Sequence, residues 1–182
     1  MKRALIVPAV LADAALDELK EWLAITTARE DAALTALLRA ALETCEGFIG
    51  LMPLAAECEE MLPALSVWQT LATRPVQAVT GVEGLSTEGT RFALAADAYA
   101  IELDAEGGAM VRVVRRDAAE RIVVRFAVGM AADWADLPDG LRHGVLRLAA
   151  HHYRQRDADS ARAMPPAAVA ALWRPWRRMR VA

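Results

Sequence analysis

Aromatic side chains are scarce in this chain: ten among 182 residues, five of them tryptophan. The hydrophobic share of 55% is made largely of alanine, so the stock of large core-forming side chains is thinner than that figure suggests. Tryptophan is the residue most favoured as an interface anchor, and its concentration here is the first hint of a binding surface. Cysteine is nearly absent. Cys45 and Cys58 are too few for a disulfide framework, which points to a reduced, cytoplasmic setting. No apolar run approaches the length of a membrane-spanning helix. The opening MKRALIVPAV has a basic start, but Pro8 interrupts its short apolar core and acidic residues follow at once, so no secretory leader is expected.

Constellations that carry chemistry are missing as well. His151 and His152 are adjacent and project about 100° apart on a helix, His143 lies eight residues earlier, and no cysteine or carboxylate stands three or four residues from His151 or His152 to build a metal site. Asp97, Asp104 and Glu106 lack the ligand order of a calcium loop. Ser66, Ser86 and Ser160 have no nucleophile-elbow context, and no glycine loop is built to cradle phosphate. No catalytic residue, metal or cofactor is therefore expected.

What is present is helical periodicity at both ends with strand-like alternation between them. Leu141, Val145, Leu148, Ala149 and His152 form one apolar stripe on a helix expected over 138–156, with Pro138 suited to its first position. Leu16, Leu19 and Leu23, with Trp22 beside them, mark a first helix from Asp13 to Leu23. Leu34, Leu37, Leu38, Ala41, Leu42, Cys45 and Ile49 mark a second, opened by a capping box at Thr27–Glu30 and closed by Gly47 or Gly50. The short link makes 13–50 an antiparallel hairpin. Pro53 and Pro63 forbid one continuous helix over 51–74, which is expected to be irregular with a helical turn near Glu57–Met61 and a candidate strand at Ser66–Leu71. Over 75–128, Val76, Ala78 and Val82, then Ala98–Leu103, Met110–Val114 and Ile122–Val128, alternate as antiparallel strands. The pairs Glu83-Gly84 and Glu88-Gly89 and the stretch Asp104–Gly108 serve as turns. The reading is one α+β domain over 1–182. In it a helix hairpin and a C-terminal amphipathic helix form a small bundle around a central β-hairpin region, and an extended tail follows.

Charge is unevenly placed. Residues 1–60 carry five basic and eleven acidic side chains, whereas residues 138–182 carry nine arginines and three aspartates. After a short helix beginning at Pro165-Pro166, the tail Trp173-Arg174-Pro175-Trp176-Arg177-Arg178-Met179-Arg180 holds four arginines in eight residues and is expected to lie outside any core. Indoles and guanidinium groups together suit a protein anchor. A small nucleic-acid-binding module that stacks bases on this tail is the alternative, weakened by the acidic balance of the whole chain.

The order of these pieces resembles the head–tail connector (adaptor) family of long-tailed phages, including its versions in prophages and gene transfer agents. The resemblance is carried by Leu16–Leu23, Glu30-Asp31, Ala40-Ala41 and Glu46–Gly50 in the opening helix pair, and by Arg74-Pro75-Val76 with Val79 and Val82. It continues through Leu137-Pro138, Leu141, Leu148–Tyr153 and Arg156, and ends in Met164-Pro165, Val169, Leu172 and Pro175-Trp176-Arg177. It departs at Gly144, where alanine is expected, and at Ile49, where threonine is expected. The resemblance implies a non-enzymatic structural protein that forms a ring beneath the portal, follows its twelve-fold symmetry and extends the DNA channel toward the stopper and tail. It also implies assembly in the cytoplasm and then residence in the particle. By this resemblance Trp173, Arg174, Pro175, Trp176, Arg177, Arg178 and Arg180 engage the portal. Asp31, Glu43 and Glu46 are candidates for an acidic channel wall along which DNA slides without sequence-specific binding, and no membrane is involved.

Overall fold

The computed structural model describes residues 2–155 and 165–177. Its contacts divide the chain into two compact units, each assembled from separated segments. One comprises Met1–Ala9 and Ala55–Met130, the other Val10–Leu54 and Ala131–Ala182.

The first unit is antiparallel β structure. Strands β1 (Lys2–Val7), β2 (Ala56–Pro63), β4 (Val76–Leu85), β5 (Arg91–Ala93) and β8 (Arg121–Val128) form a sheet in the order β1-β2-β8-β4-β5. Strands β3 (Gln69–Thr70), β6 (Tyr99–Leu103) and β7 (Ala109–Val113) form a second in the order β3-β7-β6. Alternation sets one face of each strand inward. Ala56, Cys58, Glu60 and Leu62 of β2 lie opposite Val128, Phe126, Val124 and Ile122 of β8, all buried.

The second unit is a helical bundle of α1 (Asp13–Leu23), α2 (Asp31–Ile49), α3 (Asp139–Arg154) and α4 (Ala167–Trp173), the last followed by a 3-10 turn at Arg174–Trp176. Helix α3 touches each of the other three, because its buried set (Leu141, Gly144, Val145, Leu146, Leu148, Ala149 and Ala150) extends around more than one side. Against it lie Ala15 and Leu19 of α1 and Leu34, Leu38, Ala41, Cys45 and Ile49 of α2. Three polar ties fix the bundle: Lys20 Nζ to Asp31 Oδ1 at 2.7 Å, Trp134 Nε1 to Glu18 Oε1 at 3.1 Å, and Tyr153 Oη to Glu30 Oε2 at 2.6 Å.

The α+β class, the helix hairpin and the strands of 75–128 agree with the sequence reading. Four local expectations do not. Residues 2–7 form an edge strand, whereas the sequence reading assigns them no element. Residues 56–63 form β2 and not a helical turn, because both of its central glutamates find partners from distant strands and loops. The capping box is not made: Glu30 itself is the N-cap of α2, without a side-chain cap, and its carboxylate is bonded to Tyr153. Glu83-Gly84 lies inside β4 and not in a turn. Gly84 faces Phe92 across the β4–β5 pair, and the aromatic ring covers the site a Cβ would need.

Candidate assembly interface

The C-terminal segment is seated on α3 by two glycines one helical turn apart. A Cβ on Gly144 would collide with the indole of Trp173, and one on Gly140 would stand 2.7 Å from Cη2 of Trp176. Helix α3 thus offers two flat seats, each filled by a ring. Trp173 is fully buried and its Nε1–H donates to the Leu141 carbonyl at 3.3 Å. Its ring centroid lies 5.9 Å from that of Phe48. The departure from alanine at Gly144 therefore has a steric cause.

Trp173, expected outside any core, instead has its side chain in the core of its own unit. Trp176 keeps part of its surface, while Arg174, Pro175 and Arg177 are exposed. The Arg177 guanidinium stands 5.1 Å from the Phe48 ring centroid, a cation–π contact that orients it without burying it. Arg178 and Arg180 lie outside the described residues. Trp176, Arg174, Pro175 and Arg177 thus remain as a short exposed platform, held by the Trp173 anchor.

The acidic candidates separate. Asp31 is partly buried and occupied by Lys20. Glu43 is exposed and Glu46 half-buried, three residues apart on α2 and away from its buried stripe. The histidines do not converge on a ligand. His143 packs edge-on against Trp22 at 5.2 Å, while His151 and His152 lie 5.9 Å apart. Burial, then the neighbouring His151, holds His152 below the ordinary histidine range. Burial pushes the Cys45 thiol up to about 12, which makes it a packing group and not a nucleophile. Among the described residues no group of three or more metal-ligating side chains converges, and no helix is long and apolar enough to cross a membrane.

Sequence reasoning missed two features of the β unit. Glu59 and Glu60 are adjacent, both buried, and face opposite sides of β2. Glu60 accepts from Ala72 N, Thr73 N and Thr73 Oγ1 at 2.9, 2.8 and 2.6 Å. Glu59 is gripped by Arg91 from β5 (3.1 and 3.0 Å) and by Arg125 from β8 (3.1 and 2.8 Å). The Arg91 hydrogen bond is the chief cause that holds its carboxyl below the ordinary range, against the opposing effect of burial. The second feature is that, among the described residues, β1 and β6 each have one side with no neighbouring strand.

No protein-family model and no curated protein sequence matches the chain. Solved structures do. A chain in the neck of an empty gene transfer agent particle, computed with C6 symmetry, superposes with a TM-score of 0.77 at 27% identity, covering 100% of this chain and 98% of that one. A chain of the virion of a native gene transfer agent particle gives 0.76 at 28%, covering 100% and 98%. One in the neck of a native particle, computed with C12 symmetry, gives 0.72 at 29%, covering 98% and 97%.

Proposed function

We propose that this chain, a head–tail connector type protein by its full-length likeness to neck components, is the adaptor of a phage-like particle. It forms a ring beneath the portal and prolongs the DNA channel toward the stopper and tail. The observation that carries the proposal is the match over essentially the whole of both chains, which includes the β unit as well as the helices. Neighbours computed with C6 and C12 symmetry support a ring, with twelve copies following the portal. The role is structural and not enzymatic, a reading supported by neighbours that are parts of a neck and a virion. It needs no cofactor.

The portal contact is assigned to Arg174, Pro175, Trp176 and Arg177, the exposed residues of the seated segment, together with Arg178 and Arg180. Trp173 contributes by fixing where that segment starts. Glu43, exposed, and Glu46, half-buried, are assigned to the channel wall, where like charge keeps the phosphate backbone from adhering. Asp31 is a lesser member because Lys20 neutralises it. Assembly takes place in the cytoplasm and the product becomes part of the particle.

Electron microscopy of the purified chain mixed with its portal tests the proposal. A ring capping one end of the portal is expected. A chain that leaves the portal bare, yet as a monomer binds DNA with a steep dependence on salt, refutes it in favour of a nucleic-acid module.

A further inference from the structure

Two free strand edges stand out in the β unit. β1 ends one side of the five-stranded sheet and β6 ends one side of the three-stranded sheet, so each has an outer row of backbone groups with no strand beside it among the described residues. Such edges ordinarily carry inward-pointing charge, or are kept very short. These two instead carry apolar side chains that continue a buried layer and then stop. Leu5 stands opposite buried Cys58 and is 48% exposed; past a shift in register Val7 stands opposite exposed Glu57 and is also 48% exposed. Ile101 stands opposite buried Val111, and Leu103 opposite buried Ala109, and they are 37% and 47% exposed. Each layer is open where the next strand would close it.

We propose that β1 of one copy pairs antiparallel with β6 of the next copy, and that this strand pairing joins the subunits of the ring. The inference rests on the ring reading above and adds its contact. Three observations select a second copy of this chain as the occupant. Each copy carries both edges, of six and five residues, so one donates what its neighbour lacks. The pairing is heterologous, and heterologous contacts close rings, whereas β1 meeting β1 would stop at a two-fold dimer. Charge fixes the direction. With Leu5 opposite Ile101 in antiparallel order, Lys2 falls opposite Asp104, with Glu102 diagonal to it on the same face, while Arg3 falls opposite Leu103 on the other. Parallel order would send Lys2 to the Tyr99 end instead. The two remaining edges are poorer mates: β3 has two residues, and β5 has three, with its Arg91 engaged with Glu59 and Glu83.

The test is a cysteine pair, Leu5→Cys with Ile101→Cys, in the full chain assembled on portal and then oxidised. Opposed residues in an antiparallel pair are within disulfide reach. Both native cysteines are buried. The double variant should give a ladder of cross-linked multimers on a non-reducing gel, and each single variant none. Hydrogen exchange on the unmodified chain supplies a measure that does not depend on register: amides of 2–7 and of 99–103 should both slow by about ten-fold or more on assembly. Dimers from Leu5→Cys alone would show β1 meeting itself and overturn the pairing. Rings visible by microscopy, with neither ladder nor added protection, would overturn it and leave the adaptor reading standing. A portal that recruits no ring at all would overturn both.

Discussion

Placing an alanine at position 144 should harm this protein, although alanine is the better helix former. In a helix interior, glycine to alanine is worth about 1 kcal/mol of stabilisation. Here the new methyl would stand where the Trp173 indole lies, and the ring is buried on all sides. Overpacking of that kind costs about 1–3 kcal/mol. Displacing the ring also forfeits the Nε1 hydrogen bond to the Leu141 carbonyl, worth about 1 kcal/mol. The net expectation for Gly144→Ala is a loss of about 1–3 kcal/mol. Trp173→Ala alone should cost roughly 3–5 kcal/mol, the usual range for truncating a buried aromatic. With the indole gone there is nothing left to strike, so in that background Gly144→Ala should stabilise by about 1 kcal/mol. The sign reverses, and the coupling between the two sites comes to roughly 2–4 kcal/mol, well beyond what independent sites show. Urea titrations of the four proteins, followed by far-UV circular dichroism of the helical unit, measure it. A stabilising Gly144→Ala in the unmodified chain, or equal effects in both backgrounds, refutes the claim that α3 is notched to receive Trp173.

Three further outcomes follow from the same geometry. Arg174→Ala with Arg177→Ala should leave the unfolding midpoint within a few degrees while weakening portal binding at least ten-fold, as read by co-sedimentation. Unchanged binding would remove the platform from the interface. Glu60→Ala strips the acceptor from two backbone amides and a hydroxyl in a buried place. It should destabilise the β unit by about 3 kcal/mol or more, since each abandoned donor costs ~1–3 kcal/mol, measured by thermal unfolding. Glu59 has a folded-state pKa held below its ordinary value of 4.5, so the stability it adds is complete above that value and is lost as pH falls through the lower folded value. Acid unfolding curves of the native chain should steepen below pH 4.5, and Glu59→Gln should flatten that slope.

Much of the architecture is legible in the letters alone, for reasons particular residues make plain. The stripe at Leu141, Val145, Leu148 and Ala149 has helical spacing and is buried as such, with His152 at its rim. Ile122, Val124, Phe126 and Val128 alternate, and their face turns inward. Local periodicity fails where burial depends on a distant partner. Glu59 and Glu60 read as polar letters in a helical turn because nothing nearby reveals that Thr73, Arg91 and Arg125 will satisfy them. Trp173 reads as exposed because arginines crowd its neighbourhood. The contrary signal lay about thirty residues upstream, in two glycines at helical spacing on an otherwise well-packed helix, and only the fold connects the two. The platform at Arg174–Arg177 was legible in composition, whereas the free edges β1 and β6 depend on sheet order, which periodicity does not encode.

The way the polypeptide shuttles between its two units sets a schedule for its own maturation. β1 is translated first, but its mate Ala56–Pro63 emerges only after both helices of the hairpin, and the seat for Trp173 is laid down before its occupant. A nascent chain halted after α2 therefore holds one strand without a sheet and a hairpin without its third helix. The β unit cannot close before β8 is made, nor the helical unit before α4. Competence to join a multimer therefore waits for both closures, which spares half-made protein from assembling.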